Sequence, residues 1–456
     1  MSSDTDASDG SYDDLYDAVV VGAGFAGLTA ARELSQHGFT VAVVESRDRV
    51  GGRTWFDRRM GLELEIGGTW VHWTQPFVWS ELQRYGIRVY ASPTPDTAHW
   101  WDGRQANHGS PDRLIELLDL PNLLLTRRAR ECFPSPFDCL DSELLASLDG
   151  ISVAEQIEAL DLPEDQKQLL RSFWTLNFNG RLEDAALTQA LRWVALTNGD
   201  WKVNFEACAT YKIRGGTRRL AEAMTADIRG EVLLGSDVRR IDDDGSSVTV
   251  ELADARTLTA RHVVVTVPLH AMNRVEFTPA LDDTRTTALE RGQVGLGTKI
   301  WIALEGERPP FVALGGADWP LTFFQTEYVS GGRTYVVCFG PDASAIDATD
   351  IGAVQEVLRR LVPDAVVAES ASHDWVGDAY AGETWPMHRT GFLSGSLAAL
   401  RSPHGRIRFA GSDLAGGWGG FIDGAIQSGL DAAGELIRST SGRAGTRTTS
   451  LVPAGL

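Results

Sequence analysis

The sequence predicts a mixed α/β chain in which a discontinuous, Rossmann-like nucleotide-binding domain is interleaved with a second domain of mixed sheet and helices. Three observations predict it. The 456 residues exceed what one hydrophobic core usually organises. A glycine-rich turn joins an apolar strand to a helix near the N-terminus, and short alternating strands return far downstream.

Residues 1–14 and 439–456 are rich in Ser, Thr, Gly and charge without periodicity, and are expected to be disordered tails. From Tyr16 the chain reads strand (YDAVVV), turn (GAGFAG), helix (LTAARELSQHG) and strand (FTVAVVES), which is a βαβ unit. The run Ala18 to Val21 suits a buried parallel strand, and Gly38 falls where a helix C-terminal glycine is expected. From Thr74 to Asn204, helical stretches at Pro111 to Leu118 and Val153 to Leu160 alternate with Pro-rich turns, a composition assigned to substrate-shaping structure. Between Tyr211 and Leu269 a helix after Gly215-Gly216 precedes strands at Ser236 to Ile241, Ser247 to Leu252 and His262 to Thr266. Strands at Thr298 to Leu304 and Thr334 to Phe339, a helix at Ile351 to Leu361, and a strand and helix within Ile407 to Ile437 complete the order. The first domain is therefore assigned to 15–75, 205–275 and 395–438, and the second to 76–204 and 276–394.

A net charge of -20 opposes nucleic-acid binding, which needs clustered Lys and Arg. Cys132, Cys139, Cys208 and Cys338 form neither a CxxC pair nor a regular framework, so neither a metal site nor a disulfide scaffold is indicated. The acidic N-terminus lacks the basic and apolar regions of an export signal, and no apolar run approaches bilayer-spanning length, so the cytoplasm is the expected compartment. A homodimer is the commonest assembly for such a chain.

Gly22, Gly24 and Gly27 form GxGxxG directly after a strand and opening a helix. The first suits a tight turn, the second close approach to a pyrophosphate, and the third packing of helix on strand. Backbone amides at Phe25 and Ala26 and the positive helix end then favour phosphates. Glu45 ends the second strand, where a carboxylate accepts bonds from ribose hydroxyls. The motif alone does not separate NAD from FAD.

The longer segment VVVGAGFAGLTAARELSQHGFTVAVVESRDRVGGRTW resembles the N-terminal fingerprint of flavin-containing amine oxidases. The resemblance implies an FAD site that includes Ser46, Gly52 and Val238, with Arg47 and Arg53 offering guanidinium forks to the pyrophosphate, unless they form surface ion pairs. A second block, Gly67-Gly68-Thr69-Trp70-Val71-His72-Trp73, resembles the family's strand past the flavin ring, and implies that His72 faces the substrate. A third contains Lys299 in an apolar and aromatic strand, the place where the family's lysine holds a water against flavin N5; a solvent-facing lysine is the alternative. In the C-terminal block, Gly411-Ser412-Asp413 stands where most members carry Thr-Glu after the glycine, and the helix beginning near Phe421-Ile422 implies amides beside the flavin pyrimidine.

The segment Asp378 to Pro386 is similar to one wall of the family's substrate cage. Thr384 stands where animal monoamine oxidases carry the cysteine that links FAD, which implies dissociable FAD, and Trp385 and Phe421 take the places of facing aromatic walls, with Trp418 nearby. GTWVHWTQPFVW and WGGFIDGAI also resemble bacterial oxidases of nicotine-pathway amines. The implied activity is oxidation of a small aromatic or heterocyclic amine by hydride transfer to flavin N5, giving an imine that hydrolyses to a carbonyl compound, with oxygen reduced to hydrogen peroxide. A flavin-dependent desaturase or protoporphyrinogen-oxidase-like dehydrogenase shares the N-terminal fingerprint and remains the alternative, as does an inactive FAD-binding protein.

Overall fold

A computed structural model of the chain describes residues 15–444. Tyr16–Val21 lies near the middle of an eight-stranded sheet because its Ala18 to Val21 are covered on both faces, each 3% exposed or less. It pairs in parallel with Val41–Val44 on one side and Thr257–Val265 on the other, with Val19 opposite both Ala42 and Val263. Gly230–Leu233 adds beyond Val41–Val44. Ile407–Phe409 lies parallel to the end of Thr257–Val265, so the C-terminal segment returns to the first sheet.

The helix Phe25–Gln36 ends at His37, with Gly38 at φ +88°, as the C-terminal glycine predicts. It packs against the last helix, Ile422–Ala444, at a close crossing where a Cβ on Gly429 would meet the Ala26 carbonyl oxygen at 2.3 Å. This crossing fixes two helix starts against one sheet.

The second sheet has seven strands in the order Val367–Ser372, Thr298–Glu305, Arg333–Gly340, Phe323–Ser330, Phe311–Leu314, Thr97–Trp101 and Ala106–Gly109. The helix Ile351–Arg359 covers one face, placing Val354, Val357 and Leu358 in a core with Ile300, Ile302 and Val336. A small sheet of Trp70–Val71, Tyr211–Ile213 and Val89–Ala91 lies at the crossing between the two units.

Several expected borders move. The helix begun at Pro111 runs through Pro121 to Thr126, beyond the expected end at Leu118. Glu276–Thr278, expected in the second domain, pairs in parallel with Val238–Asp243 in the first sheet. Residues 439–444, assigned to the tail, continue the last helix, whose Leu436 carbonyl accepts from the Ser439 and Thr440 hydroxyls. Residues 1–14 and 445–456 lie outside the described residues. All four cysteines are free. Among the described residues no helix is long and apolar enough to cross a membrane.

Candidate active site

A continuous cavity runs from the first glycine turn to the second sheet, lined by segments from both units. At its near end Gly22 takes φ +103°, a conformation that L side chains rarely adopt. A Cβ on Gly27 would sit 1.9 Å from the Gly22 carbonyl oxygen, so the third glycine lets helix and strand touch. Gly24 faces Gly52 across bare backbone: a Cβ on Gly52 would lie 3.1 Å from the Gly24 Cα. The Gly51 amide donates to the Ala23 carbonyl at 2.8 Å, which ties the two glycine loops together.

The helix Phe25–Gln36 has no side-chain cap and no acidic residue in its first turn, and Gly24, Phe25 and Ala26 line the cavity. Uncapped amides with the positive helix end form an anion site. Glu45 accepts from the Ala23 amide at 2.8 Å and from the Arg47 amide at 2.9 Å, leaving lone pairs beside the cavity, where Ser46 and Val238 also lie.

Arg47 and Arg53 line the cavity, but both forks are engaged by protein carboxylates. Arg47 pairs with Asp378 at 2.8 Å and lies over the Tyr380 ring. Arg53 bonds Glu383 at 2.6 Å, Ser412 Oγ at 2.9 Å, and Asp413. The expectation that Arg53 offers a free fork is thus corrected, and so is its surface-pair alternative, because Glu383 and Asp413 are buried; Arg47 is engaged at Nη2 alone, by the half-buried Asp378. Burial and the Asp413 charge push Glu383 up; against its own burial, Asp413 is held at about 2 by the Arg53 charge and by hydrogen bonds.

At the far end Lys299 is 4% exposed, which rules out the solvent-facing alternative. Its ammonium donates to the Gly67 carbonyl at 2.7 Å and Thr69 Oγ1 at 2.6 Å, and lies 5.2 Å from the Trp70 ring centre. Two of its three N–H groups are thereby used. Burial brings its pKa down to about 7, opposed by the charges of Glu65 and Glu327. Gly67, Gly68, Thr69 and Trp70 line this region, as do Gly411, Ser412, Phe421 and Ile422 from the C-terminal block.

Trp385 is held by a hydrogen bond from Nε1 to the Asn177 carbonyl at 3.0 Å and by an edge contact with Phe339, 5.7 Å between centres. Phe421 rests on Trp193 at 4.9 Å, and Trp193 Nε1 donates to the Gly419 carbonyl at 2.9 Å. Thr384 lines the cavity with its hydroxyl bonded to the Gly295 carbonyl at 2.9 Å.

Four expected site residues do not line the cavity. Gly27 packs beneath the turn, and Asp413 sits behind Arg53. Trp418 is fully buried, donates to the Thr74 carbonyl at 3.0 Å and supports Phe421 from behind at 5.0 Å. His72 is also fully buried: its Nδ1 bonds Thr74 Oγ1 at 2.8 Å and its ring packs on Trp73 and Tyr211. The expectation that it faces the substrate is corrected, because the turn after Trp70–Val71 carries the ring away from the cavity.

Sequence reasoning missed Leu176, Asn177, Trp193, Phe205, Cys208 and Phe323, which line the far end. Three of the six, Leu176, Asn177 and Trp193, come from the middle segment, which carries no motif, and their signal was the apolar periodicity of the helices Glu164–Phe178 and Leu187–Ala195, which reads equally as core.

The near end fits the diphosphate of a dinucleotide: it offers uncapped amides, and any side chain on Gly24 or Gly52 would fill the cradle. Residues 25–437 match the family model described as flavin containing amine oxidoreductase. Pseudooxynicotine dehydrogenase from Pseudomonas sp. is 35% identical over 435 residues, covering 94% of this chain and 87% of the relative. (S)-6-hydroxynicotine oxidase from Paenarthrobacter nicotinovorans is 31% identical, covering 93% and 100%. The solved structure of putrescine oxidase bound to putrescine superposes with a TM-score of 0.81 at 23% identity, covering 93% and 99%, a likeness of fold.

Proposed function

Because the chain belongs to the flavin-containing amine oxidoreductase family, we propose that it oxidises a small aromatic or heterocyclic monoamine, using dissociable FAD and passing electrons to oxygen. The observation that carries the substrate class is charge. Among the described residues the only carboxylates lining the cavity are Glu45 and Asp237, both at the nucleotide end. The far end is walled by Trp70, Trp193, Phe205, Phe323, Phe339, Trp385 and Phe421, so a second cationic group on the substrate would meet no counter-charge.

When bound, the flavin supplies the two-electron acceptor that turns the amine into an imine, which hydrolyses to a carbonyl compound. The chain's residues bind, orient and exclude water. Gly22, Gly24 and Gly52 admit the diphosphate to bare backbone, and Glu45 takes ribose hydroxyls. Trp385 and Phe421 align the apolar body of the amine, each braced by another segment of chain. Lys299 lines the cavity with one N–H beyond the two bonded to Gly67 and Thr69, and that donor would fix a water at the ring end. Thr384 leaves no thiol for a covalent link at that position.

Anaerobic mixing of the holoenzyme with primary, N-methylated and heterocyclic amines tests this reading. An aromatic or heterocyclic monoamine is expected to bleach the flavin and putrescine is not; preferential bleaching by putrescine, or by a donor that is not an amine, sinks it. Acid precipitation should release FAD into the supernatant. A second reading, transfer to an acceptor other than oxygen, is favoured by the dehydrogenase name of the relative from Pseudomonas sp.. One peroxide per amine in air supports the oxidase; reduced flavin that persists in air but is discharged by an artificial acceptor supports the dehydrogenase.

A further inference from the structure

Behind the ring end of the cavity lie four buried charges: Lys299, Glu65, Lys212 and Glu327, all 4% exposed or less. Lys212 and Glu327 form a contact ion pair, and Glu327 also accepts from Ser92 Oγ at 2.8 Å and Gln325 Nε2 at 2.7 Å. That pair is complete. Among the described residues the other two charges touch no opposite charge: Lys299 meets the Gly67 carbonyl, Thr69 Oγ1 and aromatic faces. Glu65 meets Thr217, whose amide donates at 2.6 Å and hydroxyl at 2.8 Å.

The two are joined through one strand and one ring. Glu65 stands two residues before Gly67, whose carbonyl holds Lys299, and the Glu65 carbonyl accepts from Trp301 Nε1 at 2.9 Å. Trp301 carries the Lys299 ammonium 5.6 Å from its ring centre and stacks on Tyr328, which separates Lys299 from Lys212. An ammonium removed from water keeps its proton only if opposite charge is near, and in a low-dielectric interior that charge acts without contact. With Glu327 already satisfied by Lys212, Glu65 is the uncompensated carboxylate.

We propose that Glu65, outside the cavity, is the counter-charge that keeps Lys299 protonated, and is therefore a positioning residue for the site. The proposal rests on the placement of Lys299 beside the flavin ring. The charged and titratable groups around the pair are Lys212, Glu327, Tyr90 and Tyr328. Burial brings Lys299 down and Glu65 up, so each is poised to lose its charge when the other does.

The test is a pH titration of the visible absorbance of the oxidised holoenzyme, compared among the wild type and four variants. A step that vanishes in Lys299→Met belongs to the ammonium. Glu65→Gln should move that step down by at least about one pH unit, since removing the negative charge disfavours the protonated amine. Thr217→Val, which deletes only the hydroxyl bond that favours the charged Glu65, should move it the same way by less, and carries the same prediction if the Gln variant does not accumulate as holoenzyme. Glu63→Gln, at an exposed glutamate on the same strand, should leave it in place. A Lys299-dependent step unmoved in Glu65→Gln and Thr217→Val, or moved equally by Glu63→Gln, overturns the proposal while leaving Lys299 beside the ring. A titration with no Lys299-dependent step overturns both.

Discussion

On the reading proposed above, Gly22, Gly24, Glu45 and Gly52 of the nucleotide end come from one stretch of chain, whereas Trp193, Lys299, Trp385 and Phe421 of the ring end come from four separate segments. The near end would work by what is missing: no Cβ at two facing glycines, no cap on the helix. The far end would work by side chains, each fixed by a carbonyl from elsewhere: Lys299 on Gly67, Trp385 on Asn177, Trp193 on Gly419. The proposed backbone recognition is therefore local and the proposed side-chain recognition is tertiary. Substitutions at the near end should abolish cofactor retention, and those at the far end should change reactivity while the cofactor stays.

The largest effect is expected from Gly24→Val, which sets a branched side chain into the gap facing Gly52. The protein should purify with less than about a tenth of the normal flavin, a loss of at least about 1.4 kcal/mol in binding, read from its visible absorbance. Near-normal flavin would break the distinction. Arg53→Met acts where the ends meet, leaving Glu383 and Asp413 buried without their cation. A destabilisation of about 3–5 kcal/mol is expected in denaturant unfolding, and a change within error would show that the pair is dispensable.

Lys299→Met should retain flavin but slow reoxidation by oxygen about 100-fold in stopped flow, through loss of a preorganised donor. Equal loss of flavin content would place its role in binding instead. Trp385→Ala removes one wall and is expected to lower kcat/KM about tenfold, about 1.4 kcal/mol, with bound FAD unchanged. The smallest effect is expected at His72. His72→Asn should leave KM within about twofold, as for a residue away from the pocket, and a tenfold rise would return it to the substrate.

Much of the near end was legible because its signals are short-range. GxGxxG after an apolar run specifies turn, strand and helix together, and the acid at Glu45 follows at the end of the next strand. Lys299 was legible for a related reason: a cation in the run Thr298 to Leu304 contradicts its neighbours and draws notice. Asn177 and Trp193 carry no such contradiction, since aromatic and polar residues on amphipathic helices read the same whether they face a core or a cavity. His72 shows the reverse error: its block resembles a family strand, but the direction of one ring depends on the turn that follows.

The sequence by itself determined the βαβ unit, the discontinuous nucleotide-binding domain, the family resemblance and the glycine cradle, because strand periodicity and missing side chains are properties of contiguous residues. Tertiary structure alone decided that Arg53 is held by Glu383 and Asp413, that Glu276–Thr278 joins the first sheet, that His72 turns away, and that Glu65 and Lys299 are both buried. Those outcomes depend on distances between residues far apart in sequence and on the exclusion of water from between them, neither of which is encoded at any one position.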